Sequence, residues 1–549
     1  MDRRDFLTSL AAAGLASGVS GLTGCADKVK PSLPPGDLLG PSLDFGHRLR
    51  DGGLPEPSET RRVPVLIVGS GIGGLSAGWK LSKSGFSDFL MVELESEVGG
   101  NSRAGQNEVS AYPLSAHYLP LPTMESTAVR ELLAELGVLL GDPRAAKPRF
   151  DERYLCSTPQ ERLYRNGWWQ EGVVPQIGVS AAEREQYRRF FALMESFKQR
   201  RDGEKRAFAI PMELSSQAPD LLALDRISMR DWLLAQGFDS TQLHWYIDYA
   251  CRDDYGTSLA EVSAWAGIHY FACRNGEAQD AASDTVLTTP GGNAWLAQGM
   301  AKSIRERAGD RLLTGALAYR VSKADGRVQV DLWQTAENRT FRLEADQLIW
   351  AAPLFMLPYA LAGDDELKTA ARRFSHAPWM IANLTLSRRP EERAGMSVAW
   401  DNVLYDSPAL GYVVATHQQM RLHPGATVLT YYRALSDMAP AQGRALLQAM
   451  PREFWAEQIL AELEGPHRDI RQITTRLDVF RNGHAMVRPV PGLIWGEARQ
   501  RFAAYGDNLR FAHADVSGFS LFEEAQYRGV LAAERTLHRL GLSFTTSLS

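Results

Sequence analysis

The residues Pro64-Val-Leu-Ile-Val-Gly-Ser-Gly-Ile-Gly-Gly74 are the strongest indication of how this chain folds. The first five of them form a short apolar run, which is typical of a buried parallel strand. The run continues directly into Gly69, Gly71 and Gly74, which fit the pattern G-x-G-x-x-G, and then into a helix that we expect to end near Lys83. A strand, a glycine turn and a helix in this order predict a dinucleotide-binding fold.

Each glycine of this turn has its own physical reason. Gly69 permits the tight turn after the strand, Gly71 lets the backbone approach a pyrophosphate, and Gly74 lets the helix lie close to the strand. Gly73 occupies the same turn, where the first N–H groups of the helix and the positive end of its dipole face the phosphates. We therefore predict that all four glycines bind a dinucleotide.

The next apolar run, Phe89–Val92, predicts a second strand that ends at Glu93. The two strands and the helix form a βαβ unit of the expected length. A carboxylate at the end of the second strand accepts hydrogen bonds from the adenosine ribose hydroxyls. Glu93 is our candidate for this contact, and Glu95, two residues later, is the alternative.

A second glycine pair, Gly99-Gly100, lies six positions after Glu93. With it, the chain resembles the flavin-containing amine oxidase superfamily, in which such a pair after the ribose carboxylate marks FAD rather than NAD. The same superfamily includes protoporphyrinogen oxidases and carotenoid desaturases. The resemblance implies that the chain binds FAD and that Gly99 and Gly100 belong to the cofactor site.

Two later segments extend the resemblance. The segment that begins at Ala318 resembles the family segment whose backbone brackets the adenine. Phe511–Asp515 resembles the family's last strand, where an acidic residue contacts the ribityl or pyrophosphate oxygens. The helix after Phe519 would then point its N-terminus at the flavin's pyrimidine edge, where negative charge collects on reduction. The resemblance thus implies that Ala318, Asp515 and Phe519 contact the cofactor.

The chain departs from the family pattern near the expected pyrophosphate. Asn101 stands where an arginine usually follows the second glycine pair, and His513 and Glu524 stand where glycines are usual. We therefore expect this region of the site to differ in shape. No cysteine follows Cys273, which excludes the C-terminal cysteinyl–flavin bond of some monoamine oxidases. FAD is accordingly expected to be noncovalent.

The segment Ala111–Tyr118 resembles the family segment that crosses the face of the isoalloxazine ring. His117 in this segment is our candidate catalytic residue, because histidine titrates near neutral pH. The alternative is a histidine whose ring is satisfied by backbone groups in a core turn. Many family members carry a lysine that holds a water at flavin N5, and this sequence shows no identifiable counterpart.

Aromatic residues are dense in the presumed substrate half of the chain. Some family members hold a substrate amine between two aromatic rings, which suits an amine or its cation. Most of these rings are nevertheless expected to belong to the core. The candidates are Trp168, Trp169, Trp245, Trp265, Trp379, Tyr405, Tyr412, Tyr431 and Tyr432.

The composition limits which classes of protein this chain can belong to. The chain has 549 residues, of which 44% are apolar and 23% charged, as in an ordinary soluble globular protein. A net charge of -5 without a long basic run argues against a nucleic-acid partner. The spacing of its acidic, histidine and cysteine residues predicts no metal site. Whether one disulfide forms among Cys156, Cys251 and Cys273 stays open.

The α/β pieces are separated along the chain, so we predict an α/β fold with a discontinuous Rossmann-like FAD-binding domain and an inserted α+β substrate domain. The predicted segments are a signal at 1–25, a linker at 26–60, a first FAD-binding segment at 61–125, a mainly helical substrate domain at 126–285, a second FAD-binding segment at 286–365, the substrate-domain sheet at 366–475 and a third FAD-binding segment at 476–549.

The first 25 residues are interpreted as an export signal rather than as a piece of the fold. Arg3-Arg4 belongs to a twin-arginine signature, and Leu22-Thr23-Gly24-Cys25 resembles the lipobox of bacterial lipoproteins. The twin-arginine machinery carries folded proteins, which suits a chain that must enclose a cofactor before export. We expect a periplasmic protein anchored to a membrane through a lipidated Cys25. The alternative is an ordinary cleavable signal in which Cys25 is incidental.

The function implied by the resemblance is oxidation of an amine, by hydride transfer to flavin N5, with oxygen or a quinone taking the electrons. The amine class comprises amino acids, monoamines and polyamines. One alternative is a flavin-dependent desaturase or isomerase of a lipid or polyene, which an apolar tunnel would favour. Another is a catalytically idle binding protein with the same fold.

Overall fold

Two β-sheets frame the site, one in the dinucleotide-binding half and one in the inserted half. The structure is a computed structural model that describes residues 32–419 and 425–548. Its strands are β1 Leu38–Leu39, β2 Thr60–Val68, β3 Phe89–Val92, β4 Ala104–Gln106, β5 Ala111–Pro113, β6 Leu119–Pro120, β7 Leu139–Leu140, β8 Arg149–Phe150, β9 Glu161–Arg165, β10 Trp168–Glu171, β11 Arg201–Asp202, β12 Lys205–Arg206, β13 Val286–Leu287, β14 Leu312–Leu313, β15 Ala316–Ala324, β16 Arg327–Gln334, β17 Arg339–Trp350, β18 His376–Leu386, β19 Asp401–Leu404, β20 Gly411–Val414, β21 Thr427–Ala434, β22 Thr474–Val487 and β23 Leu509–Phe511.

The α-helices are interspersed among these strands. They are α1 Leu43–Asp51, α2 Ile72–Lys83, α3 Thr127–Glu135, α4 Ala181–Gln199, α5 Pro219–Leu224, α6 Met229–Ala235, α7 Thr241–Tyr255, α8 Ala264–Ala272, α9 Ala294–Ala308, α10 Leu357–Ala360, α11 Asp365–Ala371, α12 Pro440–Ala449, α13 Arg452–Leu463, α14 Ile470–Ile473, α15 Glu497–Ala504 and α16 Phe522–Arg539.

The sheet that carries the glycine turn has the strand order β14–β3–β2–β17–β16–β15, and β23 pairs with the second half of β17. β14, β3, β2, β17 and β23 are parallel. Val65, Leu66, Ile67 and Val68 of β2 are all buried, because a parallel sheet is covered on both faces. Helices α2, α9 and α16 pack together on one of those faces. The predicted Rossmann-like domain, assembled from separated segments, is confirmed.

The second sheet has eight strands in the order β1–β22–β18–β21–β20–β19–β9–β10. Its central strand β18 is buried along its whole length. Helices α4 to α8 form an adjoining layer with its own apolar core, which includes Phe190, Trp265 and Phe519. Because these elements lie between the segments of the first sheet along the chain, they form the inserted α+β half that the sequence predicts.

The position of strand β22 shows that the predicted domain boundary at residue 476 is misplaced. The sequence predicts that residues 476–549 belong to the cofactor half, but Thr474–Val487 runs antiparallel beside β18 in the eight-stranded sheet. The cofactor half therefore resumes only after Val487. The alternating run in β22 predicts a strand without saying which sheet it joins.

The N-terminal arm, which we define as residues 34–51, lies within the stretch 26–60, for which the sequence predicts a tether or an irregular arm, and the structure shows an arm. The carbonyls of Pro35 and Asp37 accept hydrogen bonds from the N–H groups of Leu477 and Val479, each at 2.9 Å, so that β1 pairs in parallel with β22. Proline lacks an N–H donor but keeps its carbonyl acceptor, so a proline-rich segment can still pair along an edge.

The described cysteines form no disulfide. Cys156, Cys251 and Cys273 are free and buried, which settles the pairing that the sequence leaves open for these three residues. In the stretches of the chain that the structure describes, no helix combines the length and apolarity needed to cross a membrane. The twin-arginine signature and Cys25 lie outside the described residues.

Candidate cofactor and substrate site

A continuous cavity of about 850 Å³ runs between the two halves of the fold. One end is lined by the glycine turn after β2, and the other end reaches Asp253 on α7 and Tyr432 on β21. Of the predicted site residues, the cavity wall contains Gly69, Gly71, Gly73, Glu93, Gly99, Gly100, His117, Ala318 and Asp515. Gly74 and Phe519 are the two predicted residues that do not line it.

The glycine turn leaves open space above its backbone where a pyrophosphate is expected. A Cβ added at Gly71 would meet only the Cα of Gly100, at 4.0 Å, so the backbone here borders the cavity without a side chain. The N–H of Gly99 donates to the carbonyl of Ser70 at 2.9 Å, which holds the two glycine segments side by side. The arrangement is the cradle that close approach of a phosphate requires.

The other glycines of the turn serve close packing. A Cβ on Gly73 would lie 2.0 Å from the carbonyl oxygen of Ala512, and one on Gly74 would lie 1.9 Å from that of Gly69. A Cβ on Gly529 of α16 would in turn lie 2.1 Å from the carbonyl oxygen of Gly73. Gly74 is therefore a packing residue, as its place in the pattern predicts, rather than a direct contact of the ligand.

Glu93 and Glu95 take different partners. Oε2 of Glu93 accepts hydrogen bonds from both the backbone N–H and the hydroxyl of Ser70, each at 2.7 Å. Glu95 instead accepts from the backbone N–H of Ser42 and forms an ion pair with Arg103 at 3.1 Å. Glu93 thus faces the glycine turn, whereas Glu95 holds the N-terminal arm.

Asp515 is fully buried near the middle of the cavity. Its Oδ2 accepts hydrogen bonds from the N–H of Leu354 at 2.9 Å and from Nε2 of His376 at 3.1 Å, while Oδ1 lies 3.2 Å from Nδ1 of His513. Burial alone would raise the pKa of Asp515, but His513 and His376 hold this pKa well below its usual range. Asp515 is thus an anionic acceptor fixed between two imidazoles.

Phe519 does not contact the cavity, contrary to the prediction. Its ring is fully buried and stacks on His269 at 4.9 Å, within the core beneath α8. The residues that present the start of α16 to the cavity are Ser520, Leu521 and Phe522. The helix predicted after Phe519 does begin at Phe522. Phe519 itself turns away from the cavity, because an apolar residue before a helix has no fixed direction in the sequence.

Asn101, one of the departures from the family pattern, has a structural partner. Its Nδ2 donates to the carbonyl of Ala485 at 2.7 Å, and its Oδ1 accepts from Nδ2 of Asn482 at 3.0 Å. Asn482 borders the irregular stretch of β22 where its register with β18 shifts, and Ala485 lies within that stretch. Asn101 therefore ties the second glycine pair to the sheet of the inserted half.

His117 lies in an aromatic wall at the inner end of the cavity. Its ring centroid is 4.5 Å from that of Tyr432, 5.0 Å from Tyr118 and 5.6 Å from Trp400. Burial lowers the pKa of His117 to about 4, with its Nδ1 at 3.4 Å from the carbonyl of Ser115. The ring is therefore neutral at neutral pH, and it lines the cavity instead of being enclosed in a core turn.

Carboxylates that sequence reasoning missed share this inner end. Burial raises the pKa of Asp253 to about 7, with a further contribution from Asp254. Burial also raises the pKa of Glu523, at the start of α16, to about 7. Asp254 is paired with Arg274 at 2.6 Å, whereas Asp253 receives only a 3.3 Å hydrogen bond from Tyr118. Asp253 is therefore available to a ligand.

Three further polar groups border the cavity without a hydrogen-bond partner among the described residues. They are the hydroxyl of Tyr432, the indole N–H of Trp379 and Oδ1 of Asn293, in side chains that are 4%, 6% and 2% exposed. Buried polar atoms are normally paired, so their presence indicates that a bound molecule completes the site. Tyr432 and Trp379 are among the aromatic candidates from the sequence.

No lysine lies among the described residues of the cavity wall. The described residues contain no cluster of histidine, cysteine or acidic side chains arranged to hold a metal ion. The inner end presents carboxylates, the guanidinium of Arg274, the imidazole of His117 and aromatic rings.

Comparison with known proteins places the fold. Residues 67–136 match the family model of the NAD(P)-binding Rossmann-like domain, and no curated protein matches the chain. Wild-type putrescine oxidase bound to putrescine is similar with a TM-score of 0.61 at 15% identity, over 87% of this chain and 100% of that one. Cyclohexylamine oxidase from Brevibacterium oxydans gives 0.62 at 14%, over 87% and 99%.

A further solved structure widens the range of chemistry found on this fold. A CLA-producing fatty acid isomerase from P. acnes is similar with a TM-score of 0.57 at 16% identity, over 86% of this chain and 98% of that one. At these levels of identity the three likenesses establish a shared architecture, and the function has to be argued from the site.

Proposed function

We propose that this protein is an FAD-dependent oxidoreductase that oxidises an amine. The observation that carries the proposal is the pairing of a glycine cradle at one end of the cavity with Asp253 among aromatic rings at the other. The first suits a dinucleotide, and the second suits a cationic amine.

The residues present fit noncovalent FAD. Gly71 and Gly100 leave backbone open to a pyrophosphate, Glu93 stands at the end of β3 for the ribose, and Asp515 lines the cavity as a buried carboxylate. All described cysteines are free and none lines the cavity, which supports noncovalent binding. When bound, FAD supplies the acceptor for a hydride from the carbon next to the amine nitrogen.

Asp253 has the properties needed to receive the amine. An amine reaches the site mostly as its ammonium form, but hydride loss requires the neutral form with its lone pair. A carboxylate attracts the ammonium ion, and a pKa of about 7 lets Asp253 take up the surplus proton near neutral pH. The neutral ring of His117 does not repel the cation, and with Tyr432 it confines the amine against one face of the cavity.

The similar structures support an amine as the substrate, but they do not establish it. Two of them are named as amine oxidases, of putrescine and of cyclohexylamine, and the third as a fatty acid isomerase. An alkyl chain of a lipid would have to lie against Asp253 and Glu523, which would desolvate two carboxylates without pairing them. This arrangement favours an amine over a lipid or polyene.

The proposal is tested by anaerobic titration of the purified yellow protein with amines, amino acids, polyamines and an unsaturated fatty acid. We expect one class of amine to bleach the flavin absorbance, and heat or acid to release FAD from the protein. Bleaching by none of the amines would contradict the proposal and favour the idle binding protein. Conversion of the fatty acid would favour the isomerase alternative.

The electron acceptor is proposed to be oxygen or a quinone. Reoxidation of the bleached protein in air-saturated buffer, compared with reoxidation by a soluble quinone under argon, distinguishes an oxidase from a dehydrogenase. An oxidase produces hydrogen peroxide in step with amine consumed, and a dehydrogenase does so only slowly.

A further inference from the structure

Positive charges line a part of the cavity that belongs neither to the glycine turn nor to the inner end. We call this part the mouth and define it by Phe355, Tyr359, Arg444, Arg481 and His484, all of which line the cavity wall. Tyr359 is 54% exposed, so the mouth opens to solvent. None of these five residues is among the contacts of the cofactor that the sequence predicts.

Arg444, on α12, is held in place without a carboxylate. Its Nη1 donates to the backbone carbonyl of His376 at 3.2 Å. A Cβ added at Gly483 would lie 3.3 Å from Cγ of Arg444, so the stem of this arginine packs against bare backbone. A guanidinium has five N–H donors, and the carbonyl of His376 takes only one of them. Arg444 therefore keeps unused donors in the cavity wall.

Arg481, on β22, has an unused donor that is also buried. Its Nη1 donates to the carbonyl of Leu447 at 3.0 Å, whereas its Nε is buried without a hydrogen-bond partner among the described residues. Buried polar atoms are normally paired, so an unpaired N–H beside a cavity indicates a missing acceptor.

The two guanidiniums also lack a countercharge. Both side chains are half-buried, and neither forms an ion pair with a carboxylate among the described residues. Burial, followed by the charge of Arg488, lowers the pKa of Arg444, and burial lowers the pKa of Arg481. A half-buried charge is costly unless an opposite charge accompanies it. The mouth therefore carries two positive charges that an anion would neutralise.

His484 reports the same positive potential. Its ring stacks on Phe355 with centroids 4.2 Å apart, and its pKa is lowered to about 3 by burial and next by the charge of Arg444. Of the charges that act on His484, only that of Asp515 is negative. Asp515 is already fixed between two imidazoles, so it does not serve as the missing countercharge.

We propose that Arg444 and Arg481 bind a small organic anion at the mouth, at a position separate from FAD. The ligand class is a carboxylate or phosphate on an apolar or aromatic body. Guanidiniums donate charge-assisted hydrogen bonds to such oxyanions, and Phe355 and Leu447 supply apolar surface beside them. The mouth opens to solvent, so the anion enters a protein that already holds its cofactor. The inference does not depend on amine oxidation.

The test is calorimetric titration of the FAD-loaded protein with phenyl phosphate, benzoate and the uncharged benzyl alcohol. We expect at least one of the two anions to bind at least tenfold more tightly than the alcohol. Arg444→Gln and Arg481→Gln should each raise the Kd of that anion by about tenfold, because each removes a charge-assisted hydrogen bond. Added potassium chloride should weaken the binding further.

Two further variants serve as controls. Arg372→Gln changes an exposed arginine at the end of α11 that does not line the cavity, so the Kd of the anion should stay unchanged. Arg444→Lys keeps the charge but not the planar fork, so the Kd should rise by only about threefold. Should Arg444→Gln fail to fold, Arg444→Lys and Arg481→Gln decide.

A second titration distinguishes a free anion from the pyrophosphate of the cofactor. Apoprotein of each arginine variant is titrated with FAD and with riboflavin, which has no phosphate groups. Unchanged affinity for FAD supports a separate anion position. A loss confined to FAD assigns the two arginines to the pyrophosphate and overturns that position.

The remaining outcomes are equally decisive. Failure of both anions to bind the wild type, or an equal Kd in the wild type and both glutamine variants, overturns the anion position. Neither result bears on amine oxidation, which is judged by bleaching of the flavin. If an anion binds through the arginines but no amine bleaches the flavin, the anion position stands while the proposed oxidation fails.

Discussion

At the scale of single residues, Asp253 is expected to set the pH dependence of the reaction. For a primary amine, kcat/KM should rise as the pH passes through about 7, because the carboxylate then attracts the ammonium group and accepts its proton. Asp253→Asn should remove this limb and lower kcat/KM by on the order of 10²-fold. The measurement is a pH profile of kcat/KM for both proteins.

His117→Phe is the control for that profile. The pKa of His117 is lowered to about 4, so His117 does not titrate in the same range. A phenyl ring also preserves the packing against Tyr432. We expect the limb near pH 7 to remain in this variant. Its loss in His117→Phe together with its survival in Asp253→Asn would assign the proton to the histidine instead.

The same carboxyl should also affect stability. In the fold the pKa of Asp253 is about 7, above its ordinary value of 3.8, so the fold favours the protonated form. The stability it contributes is present at low pH and is lost as the pH rises through about 7. Asp253→Asn should therefore gain stability relative to the wild type between pH 5 and pH 8, by an amount on the order of a few kcal/mol. Denaturant unfolding at both pH values measures it, and a constant difference would contradict the assignment.

Substitutions at two neighbouring glycines, Gly71 and Gly73, should have different effects. Gly71→Val places its side chain in open space beside Gly100, so the protein should fold but bind little FAD. Gly73→Ala places a methyl group 2.0 Å from the carbonyl oxygen of Ala512, so it should lower the melting temperature by several degrees. FAD content is read from the absorbance ratio and stability from thermal unfolding. If Gly71→Val is both colourless and destabilised, Gly71 serves the packing of the fold and not the binding of the pyrophosphate.

At the scale of elements, the N-terminal arm is expected to contribute to cofactor affinity. Helix α1 presents His47 and Leu49 to the cavity, and the arm is held by the pairing of β1 with β22. A Cβ on Gly36 would lie 1.8 Å from the carbonyl oxygen of Leu477, so Gly36→Val should displace the arm. We expect FAD to bind about tenfold more weakly, because the site is no longer preorganised.

Gly46→Ala is the matched variant on the same arm. A Cβ there meets nothing within 4 Å, and alanine suits a helix better than glycine. Its FAD affinity, measured by fluorescence titration of the apoprotein, should equal that of the wild type. An unchanged affinity in Gly36→Val would show that the arm only covers the sheet edge.

Elements with local signals are the ones predictable from sequence. The strand, turn and helix around Gly71 lie within about twenty residues, and short-range rules specify all three. The pairing of the arm could not be predicted, because its partner β22 is more than four hundred residues away, as the hydrogen bond from Asp37 to Asp478 shows. Proline content predicts irregular backbone but says nothing about which edge that backbone joins.

The residues of the inner site could not be predicted from the sequence for the same reason. Asp253 lies on α7, Tyr118 precedes β6 and Tyr432 lies on β21, so only the assembled fold brings them together. Adjacent aspartates at the end of a helix are ordinary surface residues in most proteins. Their burial among aromatic rings, which shifts the pKa of Asp253, is a tertiary property that no local pattern expresses.

At the scale of the whole molecule, we propose export in the folded state with an anchor at Cys25. Replacing Arg3 and Arg4 together by lysine should retain the precursor in the cytoplasm, and Cys25→Ser should release the exported protein from the membrane fraction. Fractionation with labelled fatty acid measures both. If the wild type takes up no label, Cys25 is not lipidated and residues 1–25 are an ordinary cleavable signal.

The pairing of β1 with β22 also sets an order of events during synthesis. The arm is translated long before its partner strand, because more than four hundred residues separate Asp37 from Asp478. Until that strand has been made, the arm has no edge to pair with. Closure of the cofactor cleft needs more than this pairing, because Asp515 and helix α16, which also line the cavity, follow β22 along the chain. A machinery that transports only folded cargo would then meet a chain already sealed around its flavin.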